Sequence, residues 1–192
     1  MIKMSESKNK TILSNFTYRK ALWLVPIAFL IHLIEEIAFR FWEWENNYIG
    51  TDTTFDFFIM FNLILMVLYF VLIILHHFWS NRPTALISLF GFLGVQFHNA
   101  IYHLIVTIYH EIYSPGVVSG LVAYIPLNCV LILLAYREKY INRVSGVVIV
   151  IVSGVMYWLY YLFFGELVII IYLIISMIYL IVYYAKSVRS SK

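Results

Sequence analysis

The chain has 192 residues, 63% of them hydrophobic and 12% charged, with a formal net charge of +3. A mean hydropathy of +0.88, with about half the charged fraction of a soluble domain, excludes an ordinary water-soluble enzyme and points to an integral membrane protein. So small a net charge gives no support to a nucleic-acid partner, and the single Cys129 excludes an internal disulfide and any cysteine-based metal cluster.

Residues 1–19 are polar and basic and are expected to form a cytoplasmic tail near anionic headgroups. No small-residue cleavage site follows them, so a cleavable signal peptide is not expected. Apolar runs of roughly 20 residues then predict membrane helices over 21–41, 57–78, 84–108, 117–136, 144–164 and 167–185. Backbone polar groups in lipid must be bonded within the segment, which selects helices. The expected fold is an all-α six-transmembrane-helix bundle, residues 20–192 forming one domain. The break between the last two spans, "FFGEL", is short, and five spans with one long bent helix is the alternative. Pro126 is expected to kink the fourth span. Gly91, Gly94, Gly146 and Gly154 are candidate points of close helix contact. Cys129, mid-helix beside Asn128, reads as a small buried hydrophobe, and His76 and His77 as a solvated helix end.

Charge sets the orientation. Lys3, Lys8, Lys10, Arg19 and Lys20, Arg82, then Arg137, Lys139 and Arg143, then Lys186, Arg189 and Lys192 all fall on one side of a six-span chain. The other side receives Glu43, Glu45, Asp52, Asp56, Glu111 and Glu166. The positive-inside rule puts both termini in the cytoplasm of a multi-pass cell-membrane protein.

Two polar faces interrupt the apolar pattern. In "LIHLIEEIAFRFWEW", residues 30–44, His32, Glu35 and Glu36 stand at i, i+3 and i+4, and Arg40 continues the stripe. In "QFHNAIYH", residues 96–103, His98, Asn99, Tyr102 and His103 share an arc of about 140°. At 1.5 Å per residue, Glu35 and Glu36 lie about 5–6 Å outward of the first span's midpoint, and His103 lies about 7 Å outward of the third's. Matching depth predicts one shared buried site, because an ionisable side chain at a helix centre costs roughly 2.5–3.5 kcal/mol on insertion scales. Two histidines and a carboxylate are a ligand set for zinc or non-haem iron, so His32, Glu36, His98 and His103 are the candidate metal ligands. Glu35, Glu36, Asn99 and Arg40 are the candidate catalytic groups. A structural interhelical hydrogen-bond network is the alternative reading of the same residues. For Arg40 the alternative is a side chain that snorkels to the outer surface.

These residues resemble a known family. "HLIEE" at 32–36 is the motif of the HXXEE membrane proteins, and "FHNAIYH" and "YSPGVVSG" (113–120) look like its recurring elements, the resemblance spanning roughly residues 25–135. It implies a six-helix membrane fold and little about activity. Glu35, Glu36 and Arg40 also resemble the first motif, Glu-Glu-x-x-x-Arg, of the CAAX-protease-like intramembrane enzymes, although their later Phe-x-x-x-His and His-x-x-x-Asn motifs are missing here. That second resemblance implies a glutamate that activates water. The expected function is a metal-assisted or acid–base intramembrane hydrolase acting on a lipid-like substrate, with membrane lipid as its surroundings. The alternatives are a non-enzymatic binder or transporter of a metal ion or proton, and a structural membrane partner.

Overall fold

The structure is a computed structural model, and it describes residues 15–159 and 167–190. Seven helices are defined among the described residues, with no strand. Helix α1 (Tyr18–Ala38) begins where the Thr17 hydroxyl accepts a bond from the Lys20 amide. Such a cap satisfies one of the four orphan donors at a helix start. Helix α2 (Phe41–Tyr48) is short and buries Phe41 and Trp44 on one face. Helix α3 (Phe55–Phe78) is capped by Thr54. Helix α4 (Arg82–His110) opens with a capping box between Asn81 and Thr84. Helix α5 (Val117–Arg137), α6 (Arg143–Leu159) and α7 (Leu167–Ser190) complete the chain.

Four of these, α1, α3, α4 and α5, are long and apolar enough to cross a bilayer. Four of the six expected spans are therefore met by length and composition. Residues 163–166 of "FFGEL", and residues 1–14 of the basic tail, lie outside the described residues. The first span ends at Ala38, not at 41, because Arg40 takes a left-handed conformation with φ 53° and redirects the chain into α2. A bulky residue in that region breaks the i→i−4 ladder.

Two wide π-helical turns interrupt the bundle, at Leu93–Phe97 in α4 and Gly120–Tyr124 in α5. Pro126 stands just after the second. Its missing N–H removes one rung of the hydrogen-bond ladder beside that wider turn. Gly120 sits in the second turn, and a Cβ there would lie 3.0 Å from Cβ of Ala100, so α5 rides directly on α4.

The apolar outer face of α1, with Leu30, Ile31 and Ile34, is exposed, while His32 and Glu36 are buried at 3% and 5%. The polar stripe therefore turns inward. The core below it is aromatic: Phe29 meets Tyr69 edge-on at 5.0 Å, and Tyr69 meets Phe92 at 5.4 Å. Two expectations are corrected here. His76 is fully buried, its Nδ1 2.9 Å from the Thr84 hydroxyl and its ring edge-on to Tyr18 and Tyr140, which close over the end of α3. Cys129 faces outward, and only its neighbour Asn128 points in.

Candidate metal centre

Helix α1 places His32 and Glu36 one turn apart, and α4 brings His103 against them. Nε2 of His32 and Nε2 of His103 each lie 3.3 Å from the same oxygen, Oε1 of Glu36. All three residues are buried, and their ligating atoms lie within 4.8 Å of one another. The separations are within ion-pair range, yet neither Nε2 has a hydrogen-bond partner among the described residues. Two ligands on tetrahedral zinc bonds of 2.0–2.1 Å stand about 3.3 Å apart, so each nitrogen–oxygen separation matches one edge of such a site.

The other ring nitrogens explain the aim. His32 Nδ1 is 2.9 Å from the Ser119 hydroxyl, and that hydroxyl donates onward to the Gly116 carbonyl. Ser119 therefore accepts from His32 Nδ1–H, and Nε2 is the ring atom turned toward Glu36. His103 Nδ1 is likewise 2.9 Å from the Ser114 hydroxyl. Ring nitrogens anchored in this way fix tautomer and orientation at metal-binding histidines. A lone pair facing a carboxylate oxygen is repulsive until a proton or metal cation lies between them.

The segment 113–119 supplies this support as one unit. Gly116 has φ +103°, and a Cβ there would fall 2.7 Å from Cε1 of His32 and 2.9 Å from His103. Only glycine serves both the conformation and the contact.

Glu35 points into the same segment from the other side. Its Oε1 accepts from the amides of Gly116 (2.9 Å) and Val118 (3.2 Å) and from the Tyr113 hydroxyl, and its Oε2 accepts from the Ser119 amide (2.6 Å). It caps the start of α5, where free amides and the helix dipole favour an anion. Burial, then Glu35 itself, pushes the Tyr113 phenol up. Both Glu35 oxygens are thus engaged by the 113–119 segment, and Glu35 is outside the cavity lining.

His98 also departs from expectation. Its Nε2 lies 3.0 Å from the Val150 carbonyl and 3.1 Å from the Ser153 hydroxyl on α6, and its ring occupies the space that a Cβ on Gly154 would fill. His98 and His103 are five residues and about 140° apart on a helix, so when His103 faces α1, His98 faces α6. It stands outside the ligand group. Arg40 is exposed and pairs with Glu43 on α2, away from the triad. The snorkelling alternative, not the catalytic one, fits that placement.

Asn99, one turn below His103, lines a cavity of about 380 Å³ together with His32, Glu36 and Tyr102. Its Nδ2 lies 3.4 Å from the Tyr157 hydroxyl, while its buried Oδ1 lacks a partner among the described residues. Asn62 and Tyr124 line the same cavity, and the Tyr124 ring lies 4.3 Å from that of His32.

Glu45 of α2 also lines the cavity. It is bonded by the Thr53 hydroxyl at 3.1 Å, and burial pushes its carboxyl above the usual carboxylate range. Sequence reasoning assigned Glu45 only to the outer loop. Its signal was weak because α2 is too short to show a periodic face. Ser114, Gly116 and Ser119 lay within "YSPGVVSG", but nothing in that string says that its hydroxyls meet histidines on two other helices.

Four bilayer-length apolar helices around an enclosed His–Glu–His group define a membrane-type helical bundle with a candidate metal centre. The chain belongs to the family described as proteins of unknown function with HXXEE motif, which matches residues 23–131. The matched region contains the triad, both serines, Gly116 and Glu35. Among curated proteins and solved structures, none matches this chain. The likeness to CAAX-protease-like enzymes receives no support from these comparisons, and of Glu35, Glu36 and Arg40, which carried it, only Glu36 lines the cavity.

Proposed function

We propose that this protein is a six-span cell-membrane protein with both termini cytoplasmic. In this reading His32, Glu36 and His103 bind a divalent metal, zinc or iron, and a lipid-like substrate is hydrolysed beside it. The observation that carries the reading is the convergence of two anchored imidazole Nε2 atoms on one buried carboxylate oxygen. A metal held there supplies Lewis acidity and lowers the pKa of coordinated water. His32 and Glu36 line the cavity wall, so the open side of the site faces the space where a substrate would lie.

Glu45 takes the role that the sequence offers to Glu35 or Glu36. A carboxyl raised by burial is suited to accept the proton of the attacking water and return it to the leaving oxygen as the carbonyl–oxygen bond breaks. The Asn99 amide, held at the cavity wall, orients the polar group.

The test is metal content by mass spectrometry, with turnover of a mixed lipid pool, on wild type and Glu36→Gln. Bound metal and turnover, both lost in the variant, are expected. Metal without turnover would make the site a binder and not an enzyme. A metal-free wild type would refute the centre. Orientation is tested after replacing Cys129 by Ser: a Cys at Asn47 should label from outside intact cells, and one at Lys139 should not.

A further inference from the structure

The cavity is long, and its two walls are stripes on neighbouring helices. On α3 the lining runs through Phe58, Asn62, Leu65, Leu68 and Leu72, and on α4 from Asn99 and Val95 to Gly91. Spacings of three and four residues keep each stripe on one face. The helices run in opposite directions, and the stripes are in register: a Cβ on Gly91 would lie 2.9 Å from Cδ1 of Leu72. At the outer end the polar groups Glu36, Glu45, Asn62 and Asn99 stand among apolar side chains such as Phe41 and Phe58. Below Asn62 and Asn99 the walls are apolar down to Leu72, Phe90 and Tyr172.

The floor is also defined. The Tyr172 hydroxyl donates to the Ile87 carbonyl at 2.9 Å, and a Cβ on Gly91 would lie 2.8 Å from that hydroxyl. The ring is thus tethered across the inner end of the cavity.

We infer that this channel binds the single unbranched hydrocarbon chain of a neutral lipid-like amphiphile, polar group at the Glu36–Asn99 level, and that Leu72 and Tyr172 set the chain length. From Asn62 to Leu72 is ten residues, about 15 Å of helix. An extended hydrocarbon advances about 1.25 Å per carbon, from a 1.52 Å bond and an angle near 111°, so the apolar section holds roughly 12 carbons. Apolar side walls with a few polar groups at one end are the usual make-up of a ligand pocket. The apolar section is bounded by a single stripe on each of two neighbouring helices, which suits one chain. The inference rests on the proposed reaction site for the placement of the polar group.

The test uses non-hydrolysable 1-O-alkylglycerols of about 6 to about 18 carbons, competing with a fluorescent alkylglycerol for protein in nanodiscs. Affinity should rise about fourfold per carbon, the equivalent of burying one methylene, and level off near 12 carbons. Leu68→Trp blocks the channel one turn higher and should move the break down by about four carbons. Tyr172→Ala removes the floor and should move it up. Simple destabilisation cannot move the break in opposite directions. A wild-type curve without a break, or a break that neither variant moves, overturns the inference. Metal content measured on the same samples separates the two claims. A moving break in metal-free protein leaves the channel standing without the centre, and bound metal with no break does the reverse.

Discussion

Glu35 and Glu36 are adjacent, identical in chemistry and on one helix, yet they occupy opposite electrostatic settings. Around Glu35 the protein supplies four donors and no partnerless acceptor. Around Glu36 it supplies two ring nitrogens without a hydrogen-bond partner and no donor that satisfies them. The first is a completed structural joint between α1 and the start of α5. The second is an incomplete set of acceptors, which folding tolerates only if a cation or protons complete it. A run of two glutamates therefore marks one site and its support, not a pair of like groups.

The largest expected effect separates the two. Glu36→Gln should reduce bound metal to background, whereas Glu35→Gln should leave metal stoichiometry intact; equal loss in both would erase the distinction. Next comes the anchoring of the rings. Ser119→Ala and Ser114→Ala should each weaken metal affinity by about 10–100-fold, as removal of such outer partners does, read by competition with a calibrated chelator. Glu35→Gln should then lower stability by about 1 kcal/mol through weakened charge-assisted bonds to the α5 amides, measured by thermal or denaturant unfolding in detergent.

A smaller effect depends on pH. Burial raises the Glu45 carboxyl in the folded state. A raised folded pKa means that its stabilising contribution is full below the unfolded value and is lost as pH rises through the folded one. Glu45→Gln, which cannot ionise, should therefore gain stability relative to wild type on going from acid to neutral pH. A difference independent of pH would show that Glu45 is not titrating there. Arg40→Ala should be the mildest, within about 0.5 kcal/mol for an exposed ion pair, and should leave metal content unchanged.

Much of the site was legible in the sequence. Matching depths, about 6 Å for Glu36 and 7 Å for His103 by helical rise, placed together two residues that do meet at 3.3 Å. The histidine at position 32 and its carboxylate four residues on followed from the same periodicity. The 140° arc on α4 was too wide for one site, and sequence alone does not say which of His98 and His103 faces α1. That choice is made by packing: Gly154 leaves room for the His98 ring against α6. The end of the first span was misplaced because a left-handed Arg40 has no propensity signal. The inner end was misread because His76 becomes buried only when Tyr18 and Tyr140 fold over it.

Gly116 also governs traffic. With room for no carbon beyond its Cα, the backbone at this residue rests directly on both imidazoles and roofs the triad on that side. His32 and Glu36 reach the cavity, and Gly116 is not part of its wall. Were an ion bound as proposed, its exchange would run through the cavity and not straight out through the loop. The rate at which a chelator strips the site becomes a measure of what fills the channel: an occupied channel is slow to release its ion, and an emptied one is fast.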